Sequence, residues 1–184
     1  MMPITTERLV LRNFRADDAE ELLAYFRQPR ASCFYPERLT SIQDALQSIR
    51  ERNARPNGAE LAVCLRANGA LIGNLFSQEE EHGNHGVGWH LNPAYTGRGY
   101  AAEAARAYLA FLFDQKKARR IYAYVEENNL SSQKLCERLG MRREGLLREF
   151  AAFVNDEQGR PVYENTLIYA VLRTEWAAAS PCLP

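Results

Sequence analysis

The chain has 184 residues, with a hydrophobic share of 46% and a charged share of 25%. These values are close to the averages for soluble globular proteins, and they exclude a disordered, collagen-like or disulfide-scaffold chain. Its 23 Lys and Arg residues balance its 23 Asp and Glu residues, which excludes a strongly basic surface for nucleic acid or anionic lipid. A chain of this length can bury roughly 70% of its unfolded surface, which suffices for an ordinary core.

Targeting and metal motifs are not evident in the sequence. Its apolar runs are too short to cross a bilayer, and its first seven residues lack the basic and apolar regions of a signal peptide. The cysteines Cys33, Cys64, Cys136 and Cys182 are widely spaced and form no C-x-x-C pair. This spacing argues against a zinc or redox motif and fits reduced thiols. We therefore expect a cytoplasmic protein with no metal, membrane or nucleic-acid partner.

The first half of the sequence predicts antiparallel strands and two helices. Alternation of apolar and charged residues predicts a strand over 8–14, and helical spacing predicts helices over 17–27 and 40–53. Between the helices, residues 28–39 are predicted to form a loop with Phe34 and Tyr35 exposed or lid-like. Strands over 60–66 and 70–77 are joined at Asn68-Gly69, a strong hairpin signal. A polar turn over 79–84 then leads to a strand over 85–91.

From residue 100 onward strands and helices alternate. The pattern predicts a helix over 100–115, a strand over 119–126, a short helix over 128–139, and a hairpin of strands over 141–153 and 161–174. The fold class is therefore α/β (α+β), with one mixed, mostly antiparallel sheet of about six or seven strands flanked by about four helices. We interpret residues 1–176 as a single domain and 177–184 as a tail.

The segment between the strand at 85–91 and the helix at 100–115 is suited to binding a phosphate. Gly97 and Gly99 let the backbone turn inward, so that amide groups converge at the positive end of the helix. Arg98 adds a cation beside them. The same glycines also fit a tight connection without a ligand. The P-loop and dinucleotide fingerprints both fail, the latter because Ala102 stands where a third glycine is required.

Several segments together resemble the GNAT acetyltransferase superfamily. Residues 92–104 are similar to its acetyl-CoA pyrophosphate loop, with Thr96 in place of the usual Gln or Arg. Residues 129–132 and 135–145 are similar to the N-x-x-S and E-x-L-G-[FM]-x-x-E-G motifs of the branch that contains the ribosomal-protein N-terminal acetyltransferases. The opening residues 6–12 and closing residues 165–176 also fit this branch, so the resemblance covers nearly the whole chain.

The resemblance implies that acetyl-CoA binds, without a metal, in a cleft where the sheet splays apart. Asn129 and Ser132 would face the pantetheine near the thioester, although an Asn before a helix is commonly an N-cap, and both roles are compatible. Backbone groups on the strand before the loop would bind the pantetheine amides, and the loop would hold the pyrophosphate. These implied contacts are Trp89, His90 and Leu91 on the strand and Gly97, Arg98, Gly99, Tyr100 and Ala101 in the loop.

Neither usual catalytic group is present in its usual form. Gly86 stands where a strand Glu of this branch often acts as the base, and Cys136 stands where a Tyr of many superfamily members acts as the acid. His85 is a candidate base because imidazole titrates near neutral pH, but it needs a bulge to reach the cleft and is alternatively a solvent-facing histidine. Cys136 is a candidate acid or a small core residue. A third interpretation is catalysis by positioning of the reactants alone.

The implied activity is transfer of an acetyl group from acetyl-CoA to a primary amine, by direct attack in a ternary complex. The branch favours a protein or peptide α-amine. The alternatives are a small-molecule amine such as an antibiotic, polyamine or amino acid, a non-catalytic acyl-CoA-binding module, and a nucleotide-binding protein of another fold. A homodimer is compatible with the branch. The acidic run at 79–81 either attracts a cationic acceptor or is a solvated turn.

Overall fold

The computed structural model describes residues 2–56 and 59–179, in which eight strands form one sheet in the order β1-β2-β3-β4-β5-β6-β8-β7. The strands are β1 (Ile4–Thr5), β2 (Leu9–Arg12), β3 (Glu60–Leu65), β4 (Leu71–Glu80), β5 (Asn84–Leu91), β6 (Arg120–Glu126), β7 (Arg142–Asn155) and β8 (Pro161–Leu172). The α-helices are α1 (Ala19–Phe26), α2 (Ile42–Ala54), α3 (Tyr100–Asp114), α4 (Leu130–Arg138) and α5 (Arg173–Ala179).

This arrangement confirms the predicted mixed, mostly antiparallel fold, with a strand count of eight rather than six or seven. The additional strand β1 pairs with β2 over only two residues, too few for alternation to be recognised. Helix α5 replaces the end of the predicted last strand and extends to residue 179, while the rest of the predicted tail, with Cys182, lies outside the described residues. Among the helices that the structure describes, none combines the length and apolar character needed to span a membrane.

Strand β4 is longer than expected and includes part of the predicted polar turn. Glu79 and Glu80 pair with His85 and Asn84 of β5, so both carboxylates lie on a strand. The connection shrinks to a 3₁₀ turn over Glu81–Gly83. The pairing places the Glu79 and Glu80 side chains on opposite faces of the strand, whereas Glu81 lies in the turn.

The sheet divides between β5 and β6. These strands run parallel and pair at Asn84↔Arg120, His85↔Ile121 and Gly86↔Tyr122, beyond which they diverge. On its other edge β5 pairs with β4 from residue 84 to residue 91. One edge of β5 from Val87 to Leu91 therefore faces a cleft, as the resemblance implied.

Helices cover both faces of the sheet and enclose two apolar cores. Strand β3 shows the division, because alternate side chains of a strand point to opposite faces. Leu61 and Val63 pack in the core under α3 and α4. Ala62 and Cys64 pack in the core under α1 and α2.

Candidate active site

The divergence of β5 and β6 opens a cavity of about 950 Å³. Its walls are the free edge of β5, the loop before α3, the start of α4 and the segment between α1 and α2. Most of the acetyl-CoA contacts implied by the sequence are brought together here, and the residues that line the cavity are Trp89, His90, Leu91, Gly97, Gly99, Tyr100, Ala101, Asn129 and Ser132. Their roles in binding remain predictions.

The loop before α3 has the backbone geometry that its glycines predicted. Gly97 has φ 79° and Gly99 has φ 80°, values in the left-handed region that glycine adopts without steric cost. Asn92 starts the loop, because its side-chain oxygen accepts a hydrogen bond of 3.0 Å from the Ala94 amide. Gly99 directly precedes α3, whose first amide groups have no partner within the helix. The loop and helix together form a site suited to a pyrophosphate.

Arg98 is placed differently from the other loop residues. Its guanidinium lies over the Tyr95 ring at 5.9 Å, and its backbone oxygen accepts a hydrogen bond of 3.0 Å from Arg8 Nη1. The cavity walls are formed by its neighbours Gly97 and Gly99 instead. The charge-assisted phosphate contact of Arg98 stays a prediction.

Arg8 supports the loop from outside, a role that the sequence did not indicate. Its Nε donates to Glu103 in the first turn of α3 at 2.6 Å, and its guanidinium lies over the Tyr100 ring at 4.7 Å. Together with the bond to the Arg98 oxygen, these contacts fasten the loop to the start of the helix. The alternation of apolar and charged residues over 8–14 predicted only a strand here.

The start of α4 fits its predicted part of the site. The Asn129 side-chain oxygen accepts the Ser132 amide at 3.1 Å and the Ser131 hydroxyl at 2.8 Å, so the N-cap interpretation is confirmed. Ser132 Oγ accepts a hydrogen bond of 3.2 Å from Trp89 Nε1 across the cleft. This bond joins α4 to the free edge of β5.

His90 is enclosed by aromatic rings. It stacks on Phe34 with centroids 4.3 Å apart, and Tyr25 and Phe26 contact it edge-on. Burial, with a smaller effect from the Arg52 cation, lowers the pKa of His90 to about 4. The imidazole is therefore neutral at pH 7. Phe34, expected to be exposed or lid-like, is buried, whereas Tyr35 is half-exposed.

His85 does not join the cleft residues. It is only 2% exposed, and it shares a face of β5 with Val87, which packs in the core under α3. Burial lowers its pKa, and its ring nitrogens have no hydrogen-bond partner among the described residues. The interpretation as a solvent-facing histidine is wrong, because β4 continues alongside it instead of turning away. His85 does not line either cavity of the cleft, so the structure does not bring it to the place where a base would act.

Cys136 is fully buried in the core under α3 and α4. Burial raises the pKa of its thiol to about 12. Leu135 and Leu139 lie in the same core. This placement fits the interpretation as a small core residue and separates the thiol from the cleft.

A second cavity of about 390 Å³ adjoins the first. Aromatic side chains form much of its wall, including Phe76, Tyr122 and Phe150, and Glu80 contributes a carboxylate. The two cavities share the residues Ala31, Phe34, Trp89, Glu126, Asn129 and Ser132. A group bound in the second cavity therefore meets a group that extends along the free edge of β5. We refer to this second cavity as the aromatic pocket.

The segment between α1 and α2 is fixed over the cleft by carboxylates that sequence reasoning missed. Ser32 Oγ lies 2.9 Å from Glu126 Oε1 and 2.8 Å from Glu164 Oε2, and the Cys33 amide donates to Glu126 at 2.9 Å. A hydroxyl has one proton, so Ser32 donates to one carboxylate at a time. Glu126 ends a predicted strand, but its partners are distant in sequence and left no local signal.

Across residues 2–56 and 59–179, the structure contains no group of three or more His, Cys, Asp or Glu side chains arranged to hold a metal ion. The groups that line the two cavities are backbone amides, aromatic rings and a few carboxylates. Positioning and proton transfer are the chemistry that these groups support.

Comparisons with known proteins agree with this geometry. Residues 8–142 match the family model described as an acetyltransferase (GNAT) domain. The uncharacterized N-acetyltransferase YnaD of Bacillus subtilis (strain 168) is 31% identical over 177 residues, covering 95% of this chain and 99% of the relative. A GNAT-family acetyltransferase from Bacillus anthracis superposes with a TM-score of 0.82 at 28% identity, covering 94% of this chain and 99% of the other.

A more distant structural neighbour was solved with coenzyme A bound. It is RimL, a ribosomal L7/L12 alpha-N-protein acetyltransferase, and it superposes with a TM-score of 0.74. The match covers 93% of this chain and 98% of the neighbour at 15% identity. At that identity the likeness establishes a shared fold.

Proposed function

The chain belongs to the GNAT acetyltransferase family, and from this premise we propose that it transfers an acetyl group from acetyl-CoA to the α-amine of a protein or peptide. The observation that carries the acetyl-CoA part is the cleft itself. One wall is the free edge of β5, and its end is the glycine loop at the N-terminus of α3. These two features support the binding of acetyl-CoA along this path.

Each part of acetyl-CoA has a chemically suitable wall in this proposal. The free backbone groups of Trp89 to Leu91 would bind the pantetheine amides, because a strand edge offers alternating donors and acceptors. The amides around Gly97 and Gly99 would bind the pyrophosphate. Ser132, next to Trp89 Nε1, would lie near the thioester. These contacts would hold the thioester carbonyl at the boundary with the aromatic pocket.

The acceptor part of the proposal is supported by the aromatic pocket and its carboxylates. An α-amine is mostly protonated near neutral pH, and Glu80 and Glu126 provide negative charge at the pocket wall. In this proposal the cavity of about 390 Å³ holds the N-terminal end of the peptide, while the remaining chain extends into solvent. The fold neighbour RimL is named as an alpha-N-protein acetyltransferase, which is compatible with this assignment.

The first experiment is a thermal-shift titration with acetyl-CoA, CoA, ATP and NAD in parallel. A ligand at 100 times its Kd stabilises the folded state by about 2.7 kcal/mol, which corresponds to a shift of about 5–10 °C for a chain of this size. We expect this shift with acetyl-CoA and CoA alone. An equal shift with ATP would contradict the proposal.

The second experiment identifies the acceptor. Release of free CoA is followed with short peptide amides that begin with Ser, Ala or Met, and with the small amines spermidine, kanamycin and glycine. Mass spectrometry locates the added acetyl group. We expect turnover with the peptides and none when their α-amine is blocked. Turnover with the small amines alone would indicate that the acceptor is a small molecule. Binding of acetyl-CoA without any turnover would indicate a non-catalytic module.

A further inference from the structure

Tyr122 fills the space that opens above Gly86. A Cβ atom built on Gly86 would lie 3.0 Å from Tyr122 Oη and 3.1 Å from its Cζ. Any side chain at position 86 would therefore displace the tyrosine ring. The Tyr122 hydroxyl donates a hydrogen bond to Glu80 Oε1. A phenol paired with a carboxylate thus covers the backbone where relatives of this branch often have a Glu.

This pair lies at the point where the cleft begins. Gly86↔Tyr122 is the last paired position before β5 and β6 diverge. Both residues, together with Glu80, line the aromatic pocket. Trp89 and Ser132, which border the first cavity, line the same pocket. A hydroxyl at this position faces an amine that approaches the thioester from the aromatic pocket.

We propose that Tyr122 contacts the acceptor amine and relays its proton to Glu80, so that the two residues together replace the base that is missing at Gly86. The inference rests on the proposed function and deepens it by naming the proton acceptor. Tyr122 is the catalytic residue in this proposal, because it touches the substrate. Glu80 acts through Tyr122.

The proton balance of the relay is complete without a further reactant. The substrate ammonium gives one proton to Tyr122 Oη as the phenol proton passes to the Glu80 carboxylate, which leaves a neutral amine and a neutral carboxyl. The amine nitrogen then forms a bond to the thioester carbon, and the carbon–sulfur bond breaks. The thiolate of CoA takes the second nitrogen proton. Glu80 is exposed and returns its proton to water.

The surroundings of Tyr122 keep it a proton carrier. Burial, together with the hydrogen bond to Glu80, raises the pKa of the phenol, so that it remains protonated between turnovers. The Arg120 guanidinium lies over the ring at 5.2 Å, and the Tyr124 ring lies at 5.3 Å. Arg120 is itself paired with Glu144 of β7.

The neighbours of Glu80 on its own strand pair are also titratable. Glu79 precedes it and pairs with His85 on β5. Burial lowers the pKa of His85, while the charges of Glu79 and Glu80 oppose that shift. Glu79 serves as a matched control for Glu80. Its substitution removes the same charge one residue away, from a side chain on the opposite face of the strand.

The test compares Glu80→Gln and Tyr122→Phe with Glu79→Gln and the wild type. The probe is a serine-first tetrapeptide amide with saturating acetyl-CoA, and kcat is measured from pH 6.5 to pH 9.5. Removing a general base lowers turnover by roughly 10² to 10⁴, and we expect at least a tenfold loss near pH 7 in both variants. The Kd for acetyl-CoA should equal that of the wild type, which also reports an intact fold.

The pH profile separates a relay from a structural role. The α-amine loses its proton unaided above a pKa of about 8, so the deficit of both variants should shrink towards pH 9.5. Glu79→Gln should follow the wild-type profile throughout. A Tyr122→Phe enzyme with wild-type turnover, or a deficit that is constant with pH, would overturn the relay. A wild type that turns over none of the amines would overturn the proposed function as well.

Discussion

Glu103, in the first turn of α3, accepts hydrogen bonds from both the backbone amide and the side chain of Arg8, at 2.9 Å and 2.6 Å. The two residues are 95 positions apart, so this contact ties the start of β2 to the glycine loop and helix that follow β5. An arginine outside the proposed acetyl-CoA site thereby supports the loop that forms one end of it.

We predict that Arg8→Ala weakens acetyl-CoA binding by about tenfold without changing kcat at saturation. The variant removes the bond to the Arg98 oxygen and the stacking on Tyr100, so the loop must be ordered when the ligand binds, and a tenfold change corresponds to about 1.4 kcal/mol. Isothermal titration calorimetry measures the Kd. Arg66→Ala is the control, since Arg66 contacts the same segment at Thr6 and Glu7. Equal Kd values for Arg8→Ala and the wild type would refute this prediction.

We predict that Gly99→Glu abolishes the thermal shift with acetyl-CoA. The substitution places a carboxylate at the phosphate site and a Cβ atom at a left-handed position. Gly69→Glu is a matched control, because Gly69 has φ 79° in an exposed turn with open space around it. Both variants should lose about 1–2 kcal/mol of stability from backbone strain. Only the Gly99 variant should lose the thermal shift with acetyl-CoA. A normal shift in this variant would show that the loop is not part of the binding site.

We predict that the buried His90 makes the protein less stable as the pH falls from about 6.5 to about 4. Its folded pKa is lower than its unfolded pKa, so the unfolded chain binds a proton first and unfolding becomes more favourable. The contribution to the free energy of unfolding is about 3 kcal/mol over this range, at about 1.4 kcal/mol for each pKa unit.

Urea unfolding at pH 7, 5.5 and 4 measures the effect of His90. Carboxylates also titrate in this range, so the informative quantity is the difference between the wild type and His90→Phe. His82→Gln is the control, since the His82 side chain is 82% exposed. Parallel pH dependence in the wild type and His90→Phe would contradict the prediction.

We predict that His85→Ala and Cys136→Ala retain turnover within a few-fold of the wild type. Both side chains are buried in or beside the core under α3, and neither lines the cleft in the part of the chain that the structure describes. Their cost should appear in stability, at roughly 1–3 kcal/mol for a small cavity. Turnover and urea unfolding separate the two effects. A hundredfold loss of kcat in either variant would show that the substituted residue takes part in catalysis.

Local signals in the sequence predicted those parts of the site that depend on local geometry. The Asn68-Gly69 hairpin, the left-handed glycines of the loop and the N-cap at Asn129 each follow from one residue type in a short context. The order of strands and helices also followed from periodicity. The missed elements β1 and α5 are short and terminal, where few residues are available to show a period.

The features that could not be predicted from the sequence depend on contacts between residues that are far apart along the chain. Glu80 belongs to a run of acidic residues that is typical of a turn, yet it accepts a hydrogen bond from Tyr122, 42 residues away. Ser32 meets Glu164 across 132 residues. The burial of His85 depends on the unexpected length of β4. Such contacts arise from tertiary packing, for which a single sequence carries no local pattern.

The three residue pairs that join β5 to β6 leave the sheet with a narrow waist. The α3 core reaches both sides of it, from Leu61 on β3 to Val125 on β6. Apolar packing therefore joins the two halves, while the backbone edge of β5 between them has no strand partner from Val87 to Leu91. In the proposed complex the co-substrate acts as a temporary strand, and release of CoA amounts to removing that strand from the middle of the molecule.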